Sequence, residues 1–175
     1  MDLLTPRSLD LEKLQKLQKQ MFKQLVSLPT NTPDPAINIL TRKLPVGAQI
    51  HLKVMTLFIN VCTQPNESLQ KQLSRRQLCI KSVIYSWFIE VKTIMLKYDV
   101  GNASEWLDIQ MKRNELLNKA KKGINAYWIE RITSLAKLYT GLRYLNSDIF
   151  MPRKIHPIFR IKHQSPRDSK RVPTK

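Results

Sequence analysis

The chain has 175 residues, of which 42% are hydrophobic, and its 30 lysines and arginines against 13 acidic residues give a net charge of +17. This length supports one domain with a single core, and the apolar content excludes a wholly disordered chain. Four glycines are too few for the tight turns of an all-β protein. We therefore predict an all-α fold, an irregular bundle of six to seven helices over residues 1–149, followed by a basic, proline-containing, disordered tail over residues 150–175.

The first predicted helix lies in "LEKLQKLQKQMFKQLVSLP", residues 11–29, with a cap at Ser8 or Asp10 and its end before Pro29. Its apolar residues recur at steps of three and four and form one stripe along the helix: Leu11, Leu14, Leu17, Met21, Leu25 and Leu28. Such a stripe fits a coiled coil or a helix that packs on a core. Because the pattern covers fewer than three heptads, we favour a core-facing helix of a bundle.

Two helices are expected around the prolines that follow. Asp34 is placed to cap a short helix from Pro35 to about Lys43, since proline is well accepted in the first helical turn. Pro45 can begin the next helix, "PVGAQIHLKVMTLFINVCTQ". The residues that would form its buried face are Ile50, Val54, Leu57, Phe58 and Val61.

Asn66 is the expected cap of a fourth helix through "ESLQKQLSRRQLCIK", and a fifth helix is predicted in "SVIYSWFIEVKTIMLKYD". The β-branched and aromatic residues of the fifth segment would also suit a strand. However, Phe88, Val91 and Ile94 continue at helical steps, so we favour a helix.

The last two predicted helices follow Gly101. A short one lies in "ASEWLDI", and a long one starts at about Arg113 and is interrupted only by Gly123. The long helix has an apolar face of Leu116, Leu117, Ala120, Ile124, Tyr127, Trp128, Ile132 and Leu135. Large aromatic residues bury the most area, so we expect five of them to dominate the core: Trp87, Phe88, Trp106, Tyr127 and Trp128.

Catalytic and metal-binding motifs are not found in this sequence. "KYDVG", residues 97–101, shares only a tyrosine and an aspartate with the Y-x-D-D turn of reverse transcriptases; a lone aspartate cannot hold two metal ions, so we interpret it as a helix end. Cys62 and Cys79 have no zinc-ligand spacing relative to each other or to the histidines, and His51 has no evident partner to orient it as a base. We predict a chain that is not an enzyme and holds no metal or cofactor.

Both cysteines are expected to be reduced core residues, because only two occur and no secretory segment precedes them. No stretch approaches the roughly 20 apolar residues of a membrane span. These features predict an intracellular protein, in the cytoplasm or nucleus, that is neither secreted nor membrane-spanning.

The positive charge is unevenly distributed, with +7 from Pro152 onward and +10 before it. It fits a solubilising surface with a loose basic end, or binding of a polyanion; for a membrane binder, the tail lacks an apolar face flanked by lysines. Lysines near Lys121 could be the solvated face of the long helix. The candidate nucleic-acid contacts are Arg75, Arg76, Lys81, Lys112, Arg113, Lys121, Lys122, Arg153, Lys154, Arg160, Lys162, Arg167, Lys170 and Arg171.

The order of several motifs resembles the segment that follows the polymerase core in non-LTR (LINE-like) retrotransposon reverse transcriptases. Members of that family commonly show an L-E-x-L-Q helix ending in L-P, here residues 11–29, and a P-[IV]-x-A-x-[IL]-H turn, matched closely by "LPVGAQIHLK" at residues 44–53. The likeness continues through "SWF", "NAYWIERI", "LRYLN" and "HPIFRI", and so covers nearly the whole chain.

The resemblance implies a helical extension that lies between the polymerase and a C-terminal Cys/His region. The Y-x-D-D centre, the endonuclease and the Cys/His region of the family are absent from this sequence, so no catalytic residue can be assigned from it. Our first hypothesis is a non-catalytic piece of such a polyprotein that binds RNA or DNA non-specifically. The alternative is a free-standing interaction module, in which the Leu11–Leu28 stripe pairs with a polymerase domain, a partner helix or its own copy.

Overall fold

A computed structural model describes residues 8–79, 86–108 and 112–144 of the chain. These ranges contain α-helices and one short 3₁₀ helix (Thr140–Tyr144) and no strand. The α-helices are α1 (Ser8–Leu25), α2 (Asp34–Thr41), α3 (Val46–Cys62), α4 (Leu69–Cys79), α5 (Trp87–Lys97), α6 (Ala103–Asp108) and α7 (Arg113–Lys137). The predicted all-α fold is confirmed, and the predicted tail, residues 150–175, lies outside the described residues.

Two of the predicted caps, Asp34 and Asn66, are wrong. Asp34 is the first residue of α2 and makes no capping bond; its carboxylate instead pairs with Lys19 of α1. Ser68, not Asn66, caps α4, because its hydroxyl accepts a hydrogen bond from the Lys71 amide at 3.3 Å. A tight turn after Pro65 delays the start of that helix.

Three helices end at a residue other than glycine in the left-handed conformation: Ser27 after α1, Arg42 after α2 and Asp99 after α5, each with φ near +50°. At Asp99 the chain reverses, and the Val100 amide donates to the Met95 carbonyl at 3.2 Å. This geometry is a helix C-terminal motif. The interpretation of "KYDVG" as a helix end is therefore confirmed.

The main core lies among α3, α4, α5, α6 and α7, and α3 packs most extensively against α7. Residues of five helices meet in it, among them Phe58, Val91 and Trp106. A smaller second cluster joins Ile39 of α2 to Ile132 of α7. The long helix α7 therefore links both clusters, which explains its length of 25 residues.

The expected aromatic core is wrong for four of its five members. Only Trp106 is fully buried, whereas Trp87, Phe88, Tyr127 and Trp128 lie half-buried at the edge of the main cluster. Aliphatic side chains, together with Phe58 and Trp106, fill the centre instead. At the edge, the polar side of the Trp128 ring reaches a hydrogen-bond partner, the Tyr98 hydroxyl.

Other predicted core positions also face solvent. Leu57 of α3 and Leu135 of α7 are exposed, and their helices bury Met55, Ile59 and Ala136 instead. Of the two cysteines expected in the core, Cys62 is buried but Cys79 is exposed. Burial raises the pKa of the Cys62 thiol to about 12, so this sulfur is a packing group rather than a nucleophile.

The prediction that the apolar stripe of α1 faces the core is wrong. Leu14, Leu17, Met21 and Leu25 are 41%, 59%, 51% and 73% exposed. The helix contacts α2 and α3 through a neighbouring face, where Gln18 bonds to the chain before α3. A helical period shows that one face is apolar, but it does not show that the rest of the chain covers that face.

Candidate nucleic-acid interface

Two half-buried aromatic rings lie beside exposed cations where α5 ends against the middle of α7. Tyr98 follows the last residue of α5, and Tyr127 and Trp128 are consecutive residues of α7. The ring centroids are 5.2 Å apart for Tyr98 and Tyr127 and 5.6 Å apart for Tyr127 and Trp128, both in edge-to-face geometry. Such pairs are favourable arrangements of aromatic quadrupoles.

Gly123 allows this close approach of α7 and the loop after α5. A Cβ atom at this position would lie 2.4 Å from Val100 Cγ1 and 2.8 Å from the Tyr98 carbonyl oxygen. Any side chain would therefore push the loop after α5 away from α7. The glycine that seemed only to interrupt the apolar face of the long helix is what places Tyr98 next to Tyr127 and Trp128.

The Lys97 ammonium lies over three rings, 5.6 Å from the Tyr98 centroid, 5.4 Å from that of Tyr127 and 5.7 Å from that of Trp128. From the other direction, the Arg131 guanidinium lies 5.7 Å from the Trp128 centroid and donates a hydrogen bond to the Tyr127 hydroxyl at 2.9 Å. These distances are within the range of cation–π attraction. We call Lys97, Tyr98, Tyr127, Trp128 and Arg131 the aromatic–cation cluster.

A chain of hydrogen bonds holds the cluster in place from the inner side. The Trp128 indole N–H donates to the Tyr98 oxygen at 3.1 Å, and this hydroxyl lies 2.6 Å from Nδ1 of His51. Since indole can only donate, the Tyr98 proton is free to reach a neutral imidazole. Burial and, to a lesser extent, the Lys97 charge lower the pKa of His51 to about 4, so the imidazole is neutral at physiological pH.

Burial also raises the pKa of the Tyr98 hydroxyl to about 12, which keeps the proton that the hydroxyl needs in order to donate. His51 is thus a half-buried acceptor of a hydrogen bond. Its role here is to fix the orientation of the Tyr98 ring.

Two of the predicted nucleic-acid contacts make hydrogen bonds within the protein. Arg75 bonds to the Asp108 carboxylate at 2.9 Å and to the Asn66 side chain at 3.3 Å, and so ties α4 to α6. Arg113, at the start of α7, donates to the Asn60 side chain at 2.9 Å. Both guanidinium groups connect helices, a role that spacing in the sequence does not reveal.

The other described candidates lie on α4 and α7. Arg76 is exposed on α4, Lys112 is exposed just before α7, and Lys122 of α7 is exposed, whereas Lys121 of α7 is half-buried. Helix α4 packs mainly on α3, α5 and α6, and α7 packs mainly on α2 and α3. The candidates outside the described residues are Lys81, Arg153, Lys154, Arg160, Lys162, Arg167, Lys170 and Arg171.

Some of the positive charge serves to cap helices. Lys71 is only 6% exposed, and its ammonium donates to the carbonyls of Cys62 at 3.0 Å and Gln64 at 3.3 Å, at the end of α3. The Lys92 ammonium likewise donates to the Leu78 carbonyl at the end of α4. A cation at a helix C-terminus satisfies unpaired carbonyls and opposes the negative end of the helix dipole.

Lys97 and Arg131 were not among the contacts predicted from the sequence, because neither belongs to a run of lysines and arginines. The sequence nevertheless contained a signal for both residues. Tyr127 and Arg131 are four residues apart and therefore lie on one face of a helix, and Lys97 and Tyr98 stand together at a helix end. What could not be read from spacing is that these two segments meet.

Among residues 8–79, 86–108 and 112–144, no three histidine, cysteine or carboxylate side chains are grouped so that they could hold a metal ion. In the same ranges, no single helix is long and apolar enough to cross a membrane; α2 and α3 reach that criterion only as a pair, bent by 60°. Comparison of the chain with models of known families, with curated proteins and with solved structures finds no match.

Proposed function

We propose that this chain binds RNA or DNA without sequence preference and has no catalytic activity of its own. The observation that carries the proposal is the aromatic–cation cluster, where Lys97 and Arg131 lie on half-buried tyrosine and tryptophan rings. Proteins that bind single strands combine cations, which contact phosphates, with rings on which bases stack. The net charge of +17 adds a long-range attraction for any polyanion.

We further propose that the chain corresponds to the helical region downstream of the polymerase core in non-LTR retrotransposon polyproteins. The order of motifs in the sequence supports this origin, and an all-α fold is what the resemblance implies. Non-specific binding of template RNA or of newly made DNA would suit a region next to a polymerase, because such binding does not depend on sequence.

Fluorescence anisotropy with labelled single strands and a duplex of about 20 nucleotides tests the binding. We expect single strands to bind more tightly than duplex, because only unpaired bases can stack on the rings. The logarithm of the association constant should fall linearly with the logarithm of salt concentration, with a slope of about −0.7 per phosphate contact on a single strand. A response to salt that is flat would contradict the proposal.

Charge-matched variants locate the interface. The double variant Lys97→Gln, Arg131→Gln should weaken binding and reduce the salt slope by more than the double variant Lys13→Gln, Lys16→Gln, which removes the same charge from the exposed surface of α1. Equal effects of the two variants would mean that binding is a diffuse response to net charge. Circular dichroism would verify that both variants keep the helical content.

A ring-specific variant separates stacking from charge. Trp128→Leu removes the aromatic face and should cost about 1–3 kcal/mol of binding free energy, whereas Trp128→Phe should retain most of the affinity. Loss of the indole N–H bond to Tyr98 is common to both variants, so it cancels in the comparison.

A second candidate function is protein binding through α1. It is favoured by one specific observation, the exposure of Leu14, Leu17, Met21 and Leu25 along a single face of that helix. Light scattering over a range of protein concentrations, and binding of a helical peptide, would test it. Leu17→Asp should abolish the interaction without loss of helical content, because the side chain is already in water.

A further inference from the structure

We infer that a single strand of nucleic acid lies along the seam between α7 and residues 97–101, with one of its phosphates held by Lys119. This inference rests on the nucleic-acid binding proposed above and extends it from the aromatic–cation cluster to a track with two ends. Three features carry it: a row of residues on α7, the contacts that join residues 97–101 to this row, and the charges at the ends of the row.

A row of residues spaced four apart connects Lys119 to the aromatic–cation cluster. Residues with this spacing are neighbours on a helix surface, and in α7 they are Lys119, Gly123, Tyr127 and Arg131. Lys119 and Arg131 are both exposed. With a rise of about 1.5 Å per residue, these two residues are about 18 Å apart along the helix axis. We call this line of residues the α7 row.

Residues 97–101 run along the α7 row in the opposite direction. Their first two residues belong to the aromatic–cation cluster. Val100 then lies against Gly123, where an added Cβ atom would be 2.4 Å from the valine Cγ1. Gly101 lies beside Lys119, because a Cβ atom on this glycine would be 3.6 Å from the lysine Nζ. Since these contacts follow one another in order, the seam is continuous from the cluster to Lys119.

Lys119 is held at its end of the seam by an aromatic ring, as Lys97 is in the cluster. Its ammonium lies 5.8 Å from the centroid of the Trp106 ring, within the range of cation–π attraction. Gly101 leaves room for this contact, because its φ of +108° suits glycine and a Cβ atom there would be 3.3 Å from Trp106 Nε1. Since Trp106 is fully buried, its ring offers no face to a base. Lys119 is thus an exposed, positioned cation that suits a phosphate alone.

The residues beyond both ends of the α7 row limit the length of the track. One turn before Lys119 the row continues with the exposed acid Glu115, and one turn after Arg131 it continues with exposed Leu135. Neither residue attracts a phosphate. Asp99, in the loop along the seam, is also exposed, and its charge disfavours a phosphate between the two ends. The charges therefore favour phosphates at Lys119 and beside the aromatic–cation cluster, with unpaired bases on the rings of the cluster.

A strand that contacts both ends of the track must be several nucleotides long. A stacked strand advances about 3.4 Å per nucleotide, so about five nucleotides cover the distance of about 18 Å. A dinucleotide has a single internucleotide phosphate and cannot contact both ends. Lys119 should therefore contribute to the binding of long strands and not to that of a dinucleotide.

The test measures binding of the full chain to two thymidine strands over a range of salt concentrations. Fluorescence anisotropy follows a labelled decanucleotide, and the NMR shift of the Trp128 indole N–H follows a dinucleotide. Lys119→Gln should weaken binding of the decanucleotide and lower its salt slope by about 0.7, which corresponds to one phosphate contact, and should leave the dinucleotide unchanged. Lys119→Arg keeps the charge and should keep the wild-type slope. Lys16→Gln, which removes the same charge from the exposed surface of α1, should have a much smaller effect.

Glu115→Lys provides a second measurement, which leaves the contact between Lys119 and Trp106 in place. It lengthens the positive row by one turn, so it should strengthen binding of the decanucleotide and leave the dinucleotide unchanged. Glu12→Lys makes the same change of charge on the exposed surface of α1 and is the matched control. Equal strengthening by the two variants would show an effect of net charge alone and would overturn the inference.

The outcomes also separate this inference from the proposed function. Equal effects of Lys119→Gln and Lys16→Gln on the decanucleotide, or equal weakening of both strands by Lys119→Gln, would overturn the track along α7. If Lys97→Gln with Arg131→Gln still weakened both strands in that case, nucleic-acid binding at the aromatic–cation cluster would stand. Absence of decanucleotide binding by the wild-type chain would overturn both proposals.

Discussion

At the scale of single residues, several side chains that form hydrogen bonds in the candidate site are half-buried. His51, Tyr127 and Trp128 each have one side packed on the core and one side near solvent, so each makes a defined hydrogen bond and can still take part in surface interactions. The sequence indicated that Tyr127 and Trp128 lie on one face of a helix. It did not indicate the partners of His51 and Trp128, which lie 47 and 30 residues away along the chain, whereas Arg131, the partner of Tyr127, is only four residues away.

His51 makes stability depend on pH in a direction that follows from its pKa. The ordinary pKa of 6.5 falls to about 4 in the fold, so between these values the unfolded chain binds a proton that the folded chain does not. The contribution of the imidazole is therefore fully present above pH 6.5 and is lost as the pH falls from 6.5 to about 4. We expect urea unfolding at pH 7 and pH 4.5 to show a smaller loss of stability for His51→Gln than for the wild type.

The comparison is made between two proteins at the same pH, so carboxylates that titrate in this range contribute equally to both. A parallel decline of the two proteins would show that His51 is protonated in the fold at its ordinary pKa. Titration of the imidazole by NMR in the folded protein provides an independent measurement of the same quantity.

At the scale of elements, close approach and end groups decide how the helices fit. The buried lysine Lys71 closes the end of α3, and Gln18 reaches from α1 to the first amide of α3, so both ends of the central helix are completed by side chains from other helices. Such groups are needed because the terminal amides and carbonyls of a helix have no partners within it. No cap of α3 was predicted from the sequence, and neither Gln18 nor Lys71 belongs to α3.

Gly123 provides a prediction at this scale. By helix propensity alone, Gly123→Ala would stabilise α7 by about 1 kcal/mol. Because the added Cβ would meet Val100 and the Tyr98 carbonyl at 2.4 and 2.8 Å, we expect the substitution instead to lower the free energy of unfolding by about 1–3 kcal/mol. Urea denaturation would measure it.

Gly141→Ala is the matched control, since a Cβ at Gly141 has no neighbour within 4 Å in the described part of the chain. It should change the stability by less than about 1 kcal/mol. If Gly123→Ala were stabilising, α7 and the loop after α5 would not be as close as described here, and the aromatic–cation cluster would not form.

At the scale of the whole molecule, the main core is built around α3 and α7, while α1 is attached at their edge by the Gln18 hydrogen bonds and by packing of Leu11 near Gly47. In the described residues, both buried clusters are built without a member from α1. The amphipathic helix at the start of the described chain therefore adds no residue to either buried cluster. This arrangement is consistent with a helix whose apolar face serves an interaction.

Removal of α1 tests this arrangement. A chain that begins at Pro29 should still unfold in one cooperative transition, at a lower denaturant midpoint because the Gln18 bonds to the start of α3 are lost. Trp106→Ala in the full chain is the reference, with an expected cost of about 3–5 kcal/mol because the ring is fully buried. A broad, non-cooperative transition after removal of α1 would mean that α1 is part of the core.

The sequence by itself determined the helical class and the order of the helices, because periodicity, prolines and scarce glycines act locally along the chain. It also indicated correctly that "KYDVG" ends a helix. These properties depend on residues within a few positions of one another, and so they can be read from the printed order.

Only the tertiary structure decided which apolar helix faces are covered and which basic side chains form hydrogen bonds within the protein. The exposed apolar residues of α1 follow the same helical pattern as core residues, and so do exposed Cys79 and half-buried Trp128. Their burial differs because other helices cover one surface and not another. Likewise, Arg75 and Lys71 are ordinary basic residues in the sequence, but in the fold Arg75 bonds to Asp108 of another helix and Lys71 bonds to the carbonyls at the end of α3. Burial and pairing depend on how separate segments of the chain pack together, and the periodicity of the sequence does not show this packing.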